Sequence, residues 1–195
     1  MITAEQIKEL RDATGVSVMQ CKKALEETGG DMEKAVLVLK KKSADIAAKK
    51  SDRMLGAGTI AAYIHGEGSV GAMVFLSCET DFVAKNEEFK KLAYEIAMQV
   101  AATSPEFHNG DSIPGDTLRS VRELFARETE DLNKDDVMKE KIIGGKVAAY
   151  FKDKILLEQP YIKDEMQTIK ELIDSHVQKF GEKIEVSRFV RFSVH

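Results

Sequence analysis

Nine residues, Val70-Gly-Ala-Met-Val-Phe-Leu-Ser-Cys78, constrain the fold more than any other stretch of the chain. They are nearly all apolar and rich in strand formers. Alternation puts Val70, Ala72, Val74, Leu76 and Cys78 on one face, and Met73 and Phe75 on the other. A second such run, Thr59–His65, precedes them across Gly66-Glu67-Gly68-Ser69. A glycine turn between apolar runs predicts a hairpin. Because both faces of the second run are apolar, both are expected to be covered, by helices or by another subunit. The turn also spells Gly66-x-Gly68-x-x-Gly71, the dinucleotide-binding fingerprint. That motif works only where a strand hands over to a helix whose N-terminus faces the pyrophosphate. Here a strand follows, so the match is rejected.

Directly after the run comes Thr80-Asp-Phe-Val-Ala-Lys-Asn86, followed by Glu87 and Glu88. Asn86 with two acids behind it has the chemistry of a helix start. The connection is too short to wander, which puts Asp81 and Phe82 on a projecting corner. The residues leave two readings open. Phe82 turns inward as core while Asp81 caps a turn, since buried Phe is the norm. Alternatively, the carboxylate and the ring point outward, equipped to enter another molecule's crevice.

The N-terminal 40 residues carry strong helical signals. Thr3 caps a first helix with Glu5 and Gln6 in its opening turn, Ile7 and Leu10 on one face and Gly15 at its end. Ser17 caps a second carrying Met19 or Val18, Cys21, Ala24 and Leu25, closed by Gly29-Gly30. Asp31 caps a third with Ala35, Val36 and Leu39 inward. Together they predict a minimal three-helix bundle over 1–40, of a size that usually exists to bind something. It resembles the ubiquitin-associated type of module. From Lys40 to Arg53, six basic residues stand against two acids with few large apolar ones. This reads as a helical extension or linker, an RNA-contacting patch being the alternative, and 41–56 is taken as the domain junction.

Beyond Asn86, the spacing of Phe89, Leu92, Ala93, Ile96, Ala97 and Val100 predicts an amphipathic helix that Ser104-Pro105 ends. Asn109–Gly115 reads as loop. Helices are expected over 117–131, over 135–154 with an interruption at Gly144-Gly145, and over 165–179 after Pro160, stopped by Gly181. The final run, Ile184–Val194, has apolar even positions except Arg188 and reads as a third strand joining the hairpin. The predicted class is α+β: residues 57–195 form a small antiparallel three-stranded sheet packed with helices, behind the N-terminal module.

The chemistry is mostly negative. With 43% hydrophobic and 32% charged residues, the chain has the composition of an ordinary soluble protein. No apolar run approaches bilayer length. Met1 leads almost at once into a helical pattern, so no leader is expected and a cytoplasmic setting follows. A net charge of −4 argues against binding built on nucleic-acid phosphates. Cys21 and Cys78 form no Cys-x-x-Cys pair and sit in apolar patterns, as buried thiols do. His65, His108, His176 and His195 show no ligand spacing. No nucleophile has an obvious activating base, and no glycine-lysine phosphate loop is present. The acids from Glu123 to Glu140 alternate with Arg127, Lys134 and Lys139, as on a solvated helical face. No enzyme activity, cofactor or metal is expected. A protein partner is.

Two stretches carry a resemblance. Thr80–Asn86 resembles the signature of the translation elongation factor Ts family, the guanine-nucleotide exchange factors of elongation factor Tu. Leu10–Ala35, LRDATGVSVMQCKKALEETGGDMEKA, is similar to that family's N-terminal module. Similarity is clear from about Thr3 to Pro105 and traceable to the end. The resemblance implies that Thr80, Asp81, Phe82 and Val83 intrude near the partner's magnesium site. Asp81 would disturb the polar network there, and Phe82 would wedge between partner side chains. It also implies that Arg11, Val18 and Met19 grip the partner's nucleotide-binding domain, Val18 standing where some members have methionine. Asn86 stands where some members have aspartate. Members often carry the core in duplicate, whereas this chain shows one copy. Short members of that kind are associated with homodimers, for which Met73 and Phe75 would serve as interface residues. The competing reading is a non-catalytic adaptor, with the module binding ubiquitin-like folds or helices and the core acting as an oligomeric scaffold.

Overall fold

A computed structural model describes residues 2–194; Met1 and His195, on which the leader expectation and one histidine fall, lie outside the described residues. The N-terminal helices are α1 (Ala4–Thr14), α2 (Val18–Glu27) and α3 (Met32–Ala48). Thr3 and Gln6 form a reciprocal capping box at the start of α1, and Gly15 ends it with φ at 67°. Ser17 and Asp31 cap α2 and α3 through their side-chain oxygens. Leu10, Val16, Cys21, Ala24, Leu25, Ala35 and Leu39 close a small core of their own. Neither Val18 nor Met19 joins it; Val16, just ahead of α2, takes the inward position.

The third helix does not stop at the module. It runs on to Ala48, and its second half lies against α8 (Ile169–Phe180), with Ile46 and Ala47 packed on the main core. Three cations of the basic stretch, Lys40, Lys42 and Lys50, are used internally. Lys40 Nζ reaches the Met166 carbonyl at 2.7 Å and Glu171 at 3.1 Å, and Lys50 Nζ reaches the Gly181 carbonyl at 2.7 Å. Lys42 pairs with Glu27 at 2.8 Å. Ser43 donates to the Gln178 side chain.

The main sheet has strand order β1-β2-β5, from β1 (Ala57–His65), β2 (Val70–Cys78) and β5 (Ile184–Ser193), all antiparallel. The glycine turn at 66–68 hands over to β2, a strand, as rejection of the dinucleotide motif requires. Helix α5 (Glu87–Thr103) lies across one face, its Phe89, Leu92, Ile96 and Val100 buried with Val74, Leu76, Cys78 and Val186. Burial of each such large side chain stabilises the fold by about 1.5–3 kcal/mol.

Helices cover only that face. On the other, Ile60 and Ile64 of β1, Met73 and Phe75 of β2, and Val190 and Phe192 of β5 are exposed. The third strand also changes sides partway. Phe75 pairs with Arg188 but Leu76 with Val186, so Ser187 is an extra residue in a β-bulge. Before it, Ile184 and Val186 face the core; after it, Phe189 and Arg191 do, Arg191 donating to the Ala101 carbonyl at 3.0 Å. The apolar even positions therefore serve both faces, and Arg188, the exception in the pattern, marks the switch.

The remaining elements differ from expectation in detail. Helices α6 (Gly115–Thr129) and α7 (Asp136–Lys152) pair around Val121, Phe125, Val147 and Phe151. The second runs unbroken through Gly144-Gly145. Each interior glycine costs a helix only about 1 kcal/mol relative to alanine, which packing on a neighbouring helix offsets. Where the sequence predicts a helix from 165, the chain instead forms a short hairpin, β3 (Pro160–Tyr161) with β4 (Asp164–Thr168). Helix α8 begins after it, capped by Thr168 and Glu171.

Candidate partner-binding surface

The corner after β2 is a four-residue helix, α4 (Asp81–Ala84), which Thr80 caps. A single turn cannot hold itself in water, because nucleation costs more than its one or two hydrogen bonds return. Its direction is set from outside. Val83 and Ala84 are buried in the main core, while Asp81 and Phe82 point away from it. Phe82 is 81% exposed. The inward reading of that ring is thereby excluded. Asn86 then caps α5, its Oδ1 accepting from the Glu88 amide at 2.8 Å.

Asp81 accepts from Lys85 Nζ at 2.6 Å, one helical turn on, and both side chains are largely solvated. That hydrogen bond and the lysine's charge hold the Asp81 carboxyl below the usual range, so it is ionised at neutral pH. Behind the corner, the Glu182 carboxylate accepts from the Glu79 amide at 3.1 Å, the Thr80 amide at 3.0 Å and the Thr80 hydroxyl at 2.6 Å. Glu79 returns the contact. It accepts from the Lys183 amide at 2.6 Å, which lowers its pKa, and from Arg53 at 3.1 Å. The Cys78 thiol donates to the Thr80 carbonyl at 3.2 Å; burial, with the nearby Glu182 charge, pushes its pKa up to about 11.

The N-terminal candidates are likewise on the surface. Arg11 is exposed on α1, and Val18 and Met19 are exposed in the first turn of α2, Met19 at 76%. The structure thus brings Thr80–Val83 together on one corner, with Val83 as its buried anchor. Arg11, Val18 and Met19 belong to the module. Sequence reasoning missed Glu182, Glu79 and Arg53. No local pattern could have found the first, which lies 102 positions from Thr80.

Among the described residues no group of three His, Cys, Asp or Glu side chains could hold a metal ion, and no helix is long and apolar enough to cross a membrane. Both cysteines are free and buried.

Comparison with known proteins puts the chain among the translation elongation factors. The model of the family described as Elongation factor TS matches residues 4–195, and the chain belongs to that family. It is 47% identical to an elongation factor Ts of Coprothermobacter proteolyticus over 193 residues, covering 99% of this chain and 98% of that one. It is 45% identical to that of Thermosipho melanesiensis over 194 residues, covering 100% and 99%. With that of Syntrophomonas wolfei it shares 44% identity over 194 residues, 100% of this chain and 91% of the relative.

Proposed function

We propose that this chain is a guanine-nucleotide exchange factor for elongation factor Tu, promoting GDP release by disturbing the partner's magnesium and phosphate site. The observation that carries the reading is the exposure of Phe82 beside an ionised Asp81 on a corner anchored by Val83 and Ala84. A large apolar ring held in water by its own fold is free to bury itself elsewhere. Beside it, a carboxylate competes for the polar contacts of a bound cation.

The work is differential binding, with no covalent bond made or broken. A factor that prefers the nucleotide-free GTPase weakens the nucleotide by the same ratio. A ten-thousandfold effect needs about 5.5 kcal/mol of preference. One phenylalanine contributes about 1.5–3 kcal/mol. A second surface is therefore required, and the module supplies it: Val18 and Met19 offer exposed apolar contact, and Arg11 a cation. In this division of labour residues 1–40 grip, 41–56 join, and 57–195 carry the corner.

The bare face of the sheet extends the reading to a homodimer in the cytoplasm, with Met73 and Phe75 central among its exposed apolar side chains. A contiguous apolar face on an open sheet is the signature of a protein contact. The test of the main reading is release of labelled GDP from elongation factor Tu. Catalytic amounts of this chain should accelerate it many-fold, and an unaltered rate would refute the assignment.

A further inference from the structure

The corner is steered by a residue far from it in sequence. Glu182 lies in the loop between α8 and β5, and its one carboxylate takes three donors from Glu79 and Thr80. With its proton committed to Glu182, the Thr80 hydroxyl turns its lone pairs to the Val83 amide, 3.5 Å away, which is the cap of α4. Hydrogen bonds to an ionised acceptor are roughly twice as strong as neutral ones. The same loop is tied to the end of α3. Lys50 Nζ holds the Gly181 carbonyl, Lys183 Nζ reaches the Ser51 carbonyl at 2.7 Å, and Arg53 and the Lys183 amide share Glu79. The corner is thus registered both to the core and to the helix that continues into the module.

We propose that Glu182 is the positioning residue of the exchange element: it sets the direction in which α4 presents Asp81 and Phe82, and touches no partner itself. The inference rests on the exchange reading of the corner. Without Glu182 the turn keeps its anchors at Val83 and Ala84 but loses the acceptor that orients its N-terminus, and part of its ordering has to occur during the encounter with the partner. Capture of the partner by the module is unaffected, but the captured complex releases GDP more slowly.

Labelled-GDP release from elongation factor Tu, measured against factor concentration, separates the plateau rate from the half-saturating concentration. Glu182→Ala should lower the plateau by about tenfold, the equivalent of about 1.4 kcal/mol of lost preorganisation, with half-saturation unchanged. Glu182→Gln, which keeps a carbonyl acceptor for the two amides, should recover most of the plateau. A merely structural role would reduce the folded fraction and so raise the half-saturating concentration at an unchanged plateau; that result overturns the proposal. Phe82→Ala is measured alongside. If it too leaves the plateau unchanged, the corner is not the exchange element, and the reading on which this proposal rests has failed. If it lowers the plateau while Glu182→Ala does not, only the positioning role is lost. Should Glu182→Ala not fold, Thr80→Val, which removes the hydroxyl that Glu182 holds, carries the same test, and a normal plateau overturns the proposal.

Discussion

Replacing Phe82 by Ala separates what this ring does for its own fold from what it does for a partner. About a fifth of the residue's surface is covered by its own chain, since 81% is exposed. Burying a whole Phe side chain is worth about 1.5–3 kcal/mol, so the substitution should cost the fold only about 0.3–0.6 kcal/mol. For a domain of this size that lowers Tm by roughly 1–2 °C. If the remaining four-fifths is buried on the partner as GDP leaves, about 1.2–2.4 kcal/mol of preference disappears, which slows catalysed release roughly 8- to 60-fold. Two measurements on one protein decide it: thermal unfolding, and stopped-flow release of fluorescent GDP at saturating factor. Release within twofold of the parent, with Tm unchanged, would refute the wedge role. A Tm lowered by about 8 °C or more would mean that the ring is structural, contrary to its exposure.

The module should be separable from the corner: Met19→Asp, at an exposed position outside the module's core, is expected to raise the half-saturating concentration about tenfold or more while leaving the plateau and Tm nearly intact. Met73→Glu on the bare sheet face should give a monomeric mass by light scattering where the parent gives a dimer, and an identical mass for both would remove the dimer reading. Gly144→Ala and Gly145→Ala, within α7 and with open space around each added Cβ, should each raise stability by about 0.5–1 kcal/mol in denaturant unfolding. His176 is half-buried on α8 with Nδ1 2.8 Å from the Leu172 carbonyl, and its partial desolvation lowers its pKa. The unfolded chain then binds more protons than the folded one just below about pH 6.5, so stability should fall as the pH drops from about 7 toward 5. His176→Gln should flatten that decline, and a slope unchanged in the variant would show that the imidazole is not its source.

The parts of this fold that are legible in the sequence are those where a local signal and a tertiary demand agree. Thr3, Ser17, Asp31 and Asn86 each cap the helix the sequence predicts, and β2 buries Ala72, Val74, Leu76 and Cys78 while leaving Met73 and Phe75 outside. The bulge at Ser187 was not legible, because alternation read over the whole strand assumes an unbroken period of two; Arg188 was the only trace of it. The hairpin at 160–168 escaped because Asp164, Glu165 and Gln167 carry no apolar period and the paired segments are very short. At the corner, apolarity alone favours an inward Phe82. Only the resemblance pointed the ring outward, and the physical cause lies elsewhere: Val83 and Ala84 occupy the inward positions of a single turn, and Glu182 fixes its start. Val18 and Met19 follow the same logic, displaced from the module's core by Val16.

The proposed exchange rests on a preference, and a preference is measured as a ratio of affinities. Titration calorimetry of this chain against elongation factor Tu, once stripped of nucleotide and once loaded with GDP and magnesium, gives that ratio without any rate. Tighter binding to the empty form, by a factor equal to the weakening of GDP in the factor's presence and of the order of ten-thousandfold, is the predicted result. Equal affinity for the two forms would contradict it outright, whatever the corner looks like.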